Sequence, residues 1–211
     1  MGQRLNIEIM DTNGDSLANC YYHWSAYTSS AIELTEQVLK FIKENKQKYM
    51  KDGKLDKKLF AIRMLESTGA GLCKEDDIPA FEEQYPNEPY KEAEDRNSGL
   101  ISITEESMDK TRNWEEGRVE INIDSDTVSF DVMYEMDNYE LSDIVNEDDD
   151  MDDDEIEAAV EELLSKMPDI GEDYPFSLEA IPFDKFEEVS KKIEDSSSYF
   201  KYKGDAYLKI E

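Results

Sequence analysis

The chain has 211 residues, 38% of them apolar and 36% charged, and its 53 acids against 23 bases give a formal net charge of −30 at pH 7. That length fits one domain of generous size or two small ones. So strong a negative charge repels phosphates and anionic lipid, which makes direct binding of DNA, RNA or membranes the least expected class of function.

High charge with low hydrophobicity suits a disordered chain, but eight Phe, twelve Tyr and two Trp supply bulk for a core. No apolar run approaches the roughly 20 residues of a membrane span. The opening MGQRLNIEIM lacks a basic region followed by a long apolar stretch, so a cytoplasmic protein is expected. Asn6 stands where a myristoylation signal needs Ser or Thr. Cys20 and Cys73 are too few for a disulfide framework, in keeping with a reducing compartment.

Leu5, Ile7 and Ile9 alternate with Arg4, Asn6 and Glu8, the pattern of a strand with one buried face. Asp11-Thr12-Asn13-Gly14-Asp15 is a turn, and Asn-Gly is a strong hairpin signal. A second strand is expected from about Leu17 to Tyr27, with Ala18, Cys20, Tyr22, Trp24 and Ala26 sharing one face. Ser30 and Glu33 form a capping box, followed by an apolar stripe of Leu34, Val38, Phe41 and Ile42. A second helix is expected over Leu55 to Ser67, ended by Gly69 and Gly71. The region of these two helices is the one basic part of the chain, with Lys40, Lys43, Lys46, Lys48, Lys51, Lys54, Lys57, Lys58 and Arg63.

Pro79, Pro86 and Pro89 break up the following stretch, which reads as an irregular loop over about 70–98 with one helical turn in it. Leu100, Ile101 and Ile103 suggest a short strand. Val119, Ile121 and Ile123, then Val128, Phe130, Val132 and Tyr134, alternate on either side of Ser125-Asp126 as a hairpin with one core face and one polar, acidic face. Asn138 to Asp153 reads as a solvated acidic loop, Asp154 to Met167 as a helix, Pro182 as the start of another helix, and Tyr199 to Ile210 as a last hairpin. Strands and helices do not alternate regularly. The expectation is a single α+β domain over 1–211, a largely antiparallel sheet with about four helices packed on it, and an acidic loop and helix at about 137–166.

Catalytic and metal chemistry find little to work with. His23 is the only histidine, and on a strand it points away from Cys20. Ser25 shares its face, but at roughly 7 Å along a strand it lies beyond direct hydrogen bonding. The turn at Asp11 starts like a calcium loop, but Ser16 replaces the required Gly and Tyr22 the final Glu. Tyr21, Tyr22, Trp24 and Tyr27 fit sheet packing better than base stacking beside so much negative charge. No enzyme, cofactor or metal is expected.

The informative feature is charge. From Val119 to Ser165 there is no Lys or Arg, and these 47 residues hold 19 acids. Charge runs usually serve solvation, and Asp also suits a helix N-terminus; that covers Asp152, Asp153, Asp154 and Glu155 but not the whole stretch. Seven acids between Asp152 and Met167, on a helix rising about 1.5 Å per residue, give one charge per roughly 3 Å, comparable to the phosphate spacing of one DNA strand. The expected partner-binding residues are Glu120, Asp131, Glu135, Asp143, Glu147, Asp148, Asp149, Asp150, Asp152, Asp153, Asp154, Glu157 and Glu161, meeting a basic, nucleic-acid-binding protein. The alternative is an assembly or adaptor protein that binds another basic partner, or self-associates through the Lys40 to Arg63 region as a homo-oligomer.

The segment RLNIEIMDTNGDSLANCYYHWSAYTSSAIELTEQVL resembles the start of small acidic bacteriophage and prophage proteins. The charge balance is similar to that of phage anti-restriction and anti-CRISPR inhibitors that mimic DNA. That resemblance implies a stoichiometric inhibitor in the cytoplasm of a host bacterium; it rests on acidity without a shared motif, so it assigns no residue a role.

Overall fold

A computed structural model describes residues 4–23, 25–95, 98–113, 115–134 and 174–195. Its core is a seven-stranded sheet built from β1 (Leu5–Met10), β2 (Ser16–Tyr22), β5 (Gly71–Leu72), β6 (Leu100–Ser102), β7 (Gly117–Asn122), β8 (Thr127–Tyr134) and β9 (Tyr174–Pro182), in the order β5-β6-β2-β1-β7-β8-β9. A separate two-stranded ribbon pairs β3 (Met50–Lys51) with β4 (Lys54–Leu55). Five α-helices lie among the described residues: α1 (Thr28–Asn45), α2 (Lys57–Glu66), α3 (Asp77–Gln84), α4 (Glu105–Arg112) and α5 (Phe186–Asp195).

The α+β class holds, with two corrections. The sheet is mixed rather than nearly all antiparallel: β1 pairs with β7 in parallel, from Leu5↔Gly117 to Met10↔Asn122, and β5 pairs with β6 in parallel. Alternating burial marks a strand but carries no information on its partner, so a contact across more than 100 residues leaves no local trace. The helices number five among the described residues: α4 falls where no helix was expected, and α3, with 8 residues, is longer than the single helical turn expected there. The region over 70–98 is correspondingly less irregular: it holds β5 and α3, and Leu72 bridges Glu92.

The apolar face of the sheet carries Leu5, Ile7, Ile9, Ala18, Cys20, Val119, Ile121, Val128 and Phe130, packed on α1, α2 and α5. Helix α2 is buried on nearly every side, through Leu59, Phe60, Ala61, Ile62, Met64 and Leu65. Each large member of that set contributes about 1.5–3 kcal/mol by leaving water. Asp56 starts α2, its carboxylate accepting from Leu59 N at 3.2 Å and from the Tyr85 hydroxyl at 3.1 Å. Helix α1 begins at Thr28, two residues before the expected capping box, and Tyr27 at its N-cap makes no side-chain bond. Its buried stripe is Ala31, Thr35, Val38 and Ile42, while Leu34 and Phe41 are only partly covered. Strand β2 ends at Tyr22, short of the expected Tyr27.

The other face of β1 is also covered, against the reading of one buried face. Asn6 is 1% exposed and Glu8 3%. Helix α4 lies over them, burying Met108 and bonding to β1 and β2 through polar groups. Asn6 Nδ2 donates to Thr111 O at 3.1 Å, Asn19 Nδ2 donates to Thr111 Oγ1 at 3.0 Å, and Arg112 pairs with Glu8. Thr104 caps α4 by accepting from Ser107 N, and Asp77 ties the junction from α3. Asp77 Oδ1 accepts from Ile103 N at 2.7 Å, Thr104 N at 3.1 Å and Ser107 Oγ at 2.7 Å, while its fully buried Oδ2 has no partner. Burial pushes the Asp77 carboxyl above its usual range, and those three donors offset the rise only in part.

Candidate acidic interface

The β7–β8 hairpin starts the Lys/Arg-free stretch and carries its first acids. Asn122 shapes the turn, its Oδ1 accepting from Asp124 N at 3.1 Å and Ser125 N at 3.0 Å. Asp126 takes the left-handed backbone, with φ 52°, that an aspartate tolerates better than most residues.

Two acids of this turn are spent inside the molecule. Asp124 Oδ2 accepts from Lys57 Nζ at 2.6 Å and from Thr12 N and Oγ1, both at 2.9 Å. The Lys57 ammonium and the Thr12 donors hold the Asp124 carboxyl below its usual range. Asp126 Oδ1 lies 3.3 Å from Lys46 Nζ. Both lysines belong to the basic region, so the hairpin tip is where the chain's two charge runs meet. Opposite charge in the two runs was the available signal for these pairs; the sequence alone could not say which members would meet.

Of the expected partner-binding residues, Glu120 and Asp131 are described, and they sit differently. Asp131 is exposed on β8, facing Arg118 across the ladder. Glu120 is half-buried and lies 3.4 Å from Arg118 Nη1. It stands opposite Glu8 in the parallel register, a like-charge pair that costs stability unless compensated. Arg112 and Arg118 compensate: Arg112 takes Glu8, and Arg118 takes Glu115 and Glu120. Glu120 is thus part of an internal charge lattice rather than a free acidic face. Glu135, Asp143, Glu147, Asp148, Asp149, Asp150, Asp152, Asp153, Asp154, Glu157 and Glu161 lie outside the described residues, as do the helix expected over Asp154 to Met167 and the hairpin expected over Tyr199 to Ile210.

What the described residues do settle is where that stretch is rooted. Strands β8 and β9 are antiparallel neighbours, paired through Val132↔Phe176, Met133↔Pro175 and Tyr134↔Tyr174. Residues 135–173 therefore leave and re-enter the sheet side by side. They hold 18 acids against one base, Lys166. The Lys46 and Lys57 pairs lie at the other end of β8, which at about 3.3 Å per residue is roughly 25 Å away. That exceeds the Debye length of about 8 Å at physiological salt, so the two ends of β8 are electrostatically separate.

Cys20 is fully buried, and burial pushes its thiol up to about 12, far from thiolate chemistry. His23 lies in the turn after β2, its Nδ1 2.8 Å from the Tyr21 hydroxyl. Among the described residues no three His, Cys, Asp or Glu side chains are grouped to hold a metal ion, and no helix is long and apolar enough to cross a membrane. No family model, curated protein or solved structure matches the chain.

Proposed function

We propose that this protein is a stoichiometric binder, encoded by a phage, that uses the 135–173 stretch to occupy the nucleic-acid groove of a basic host protein. The observation that carries this reading is the rooting of 18 acids between two paired strands, at the end of the sheet away from the lysines that consume Asp124 and Asp126. A polyanion held at two adjacent points loses less freedom on binding than a free tail. Its attraction to lysines and arginines weakens steeply with salt, as that of a nucleic acid does. The binding residues under this reading are Asp131, Glu135, Asp143, Glu147, Asp148, Asp149, Asp150, Asp152, Asp153, Asp154, Glu157 and Glu161, with Glu120 held back by Arg118. Competition alone suffices, without covalent chemistry or a cofactor.

The test is affinity capture from a bacterial lysate, eluted along a salt gradient. A basic nucleic-acid-binding protein should leave the column at moderate salt. A variant with Asp149→Lys, Asp150→Lys, Asp153→Lys and Glu157→Lys should lose it while unfolding as cooperatively as the parent. Retention of the same protein by that variant would remove the proposal.

A further inference from the structure

The β3–β4 ribbon breaks a rule of sheet pairing. Its turn is Asp52-Gly53, with φ 51° and φ 76°, both in the left-handed region a tight type I′ turn requires. The register then sets Lys51 directly opposite Lys54. Like charges in that position repel, and a two-stranded ribbon is marginal to begin with. Residues 50–54 are all exposed, and Met50 adds an apolar surface that is 38% exposed. From Lys46 to Lys58 there are six lysines against Asp52 and Asp56. The ion pairs at this end go to Lys46 and Lys57, and Asp56 is engaged in starting α2. Among the described residues Lys51 and Lys54 share none of these pairs.

A local cost without an internal return is expected at a binding site. A carboxylate seated between the ammonium groups of two lysines whose Cβ atoms stand roughly 5 Å apart turns the repulsion into a bridge. The chain itself supplies the complement, since every copy brings 18 acids between residues 135 and 173 at the same concentration as the lysines. The lysine end already pairs with Asp124 and Asp126 of the same Lys/Arg-free stretch, so the chemistry of the contact is present inside one molecule. The ribbon and those acids belong to different parts of the chain, so a contact between copies is head-to-tail.

We propose that the β3–β4 ribbon is a docking surface for a second copy of this chain, whose carboxylates bridge Lys51 and Lys54. This goes beyond the binding of a foreign partner and stands whether or not one is found. The contact is heterologous, so copies build rings or open chains rather than a two-fold dimer.

Sedimentation velocity of the purified full chain tests it, in about 20 mM and about 0.5 M sodium chloride, since the Debye length shrinks severalfold between them. The parent should sediment as dimers and larger species at low salt and as a monomer at high salt. Lys51→Glu should be monomeric in both, and its melting temperature should match or exceed the parent's, because the introduced carboxylate would face Lys54 as an opposite charge. A merely structural lysine would give the reverse, a lower melting temperature with association intact. A parent that stays monomeric at low salt, or a Lys51→Glu variant that associates like the parent, would overturn the proposal. A labelled single-stranded oligonucleotide added to the monomeric parent, bound by it and released by Lys51→Glu, would also overturn it and assign the ribbon to nucleic acid. No lysate is involved, so this result is independent of the capture experiment.

Discussion

Lys57 Nζ sits 2.6 Å from Asp124 Oδ2 and thereby fastens the first turn of α2 to the β7–β8 turn. The same oxygen takes both donors of Thr12, so three segments far apart in sequence converge on one carboxylate. Replacing Asp124 by Ala should cost about 1–2 kcal/mol at neutral pH, the range for charge-assisted bonds at a partly exposed site. The folded-state carboxyl titrates below its unfolded value of 3.8, so its contribution is complete above that pH and disappears as pH falls through the lowered folded value. Urea denaturation of parent and variant should therefore diverge at neutral pH and converge in strong acid.

Glu8 and Arg112 make the opposite kind of pair, with the carboxylate nearly out of reach of water. Arg112→Met should cost about 3–5 kcal/mol, because it strands a buried charge. Glu8→Met combined with Arg112→Met should recover most of that loss, since two apolar chains of similar volume need no solvation. Denaturant midpoints of the two single variants and the double variant decide it. A double variant as unstable as Arg112→Met would show that the pair is not the source of the cost.

Asp77 predicts a pH dependence of the other sign. Its folded carboxyl is raised, chiefly by burial. Its contribution to stability is full below the unfolded value of 3.8 and declines as pH rises through the folded value. In Asp77→Asn this decline is absent. The stability of the parent relative to that variant should be greatest in acid and should shrink as pH rises, measured by denaturation across the acidic range.

Two glycines separate steric cost from backbone cost. A Cβ at Gly71 would lie 2.5 Å from Ala93 N and from the Glu92 carbonyl carbon, which are backbone atoms with little room to yield. Gly14, at φ 79°, has nothing within 4 Å. Gly71→Ala should cost about 2 kcal/mol or more and raise amide exchange at Leu72 and Ala93, whereas Gly14→Ala should cost about 1 kcal/mol.

The pairing of Tyr134 with Tyr174 predicts that the intervening stretch can be exchanged for a short turn. Replacing residues 135–173 by Asn-Gly removes 18 acids and Lys166, taking the net charge from −30 to −13. The variant should keep cooperative unfolding and the parent's β-sheet circular dichroism while losing salt-eluted partners and self-association. Loss of cooperative folding would mean that the sheet depends on the segment.

Periodicity made β1, β2, α1, α2, β7 and β8 legible, because each has an apolar face that must leave water. It failed for α4, whose sequence EESMDKTR offers Met108 as its lone large apolar residue. The usable signal there was electrostatic: Thr104 as cap, Glu105 and Glu106 in the first turn, Lys110 and Arg112 in the last. The full length of α3 hid behind Pro79, which the first turn of a helix tolerates, and β9 behind Pro175 and Pro182, which an edge strand tolerates. Because α4 was missed, Asn6 and Glu8 read as solvent-facing. In the interface, the excess of acid was legible, but the use of Asp124, Asp126 and Glu120 within the fold was not, since ion pairs between distant segments depend on topology.

The parallel seam joining β1 to β7 has a temporal consequence. Leu5 cannot find Gly117 until 112 further residues have been made. At a synthesis rate of about 5–20 residues per second, the inner edge of β1 waits roughly 6–22 s without its neighbour. During that interval an apolar strand with open amides and carbonyls is available to any other nascent chain. Yield in a cell should accordingly be governed by translation speed and chaperone supply as much as by the stability of the finished protein.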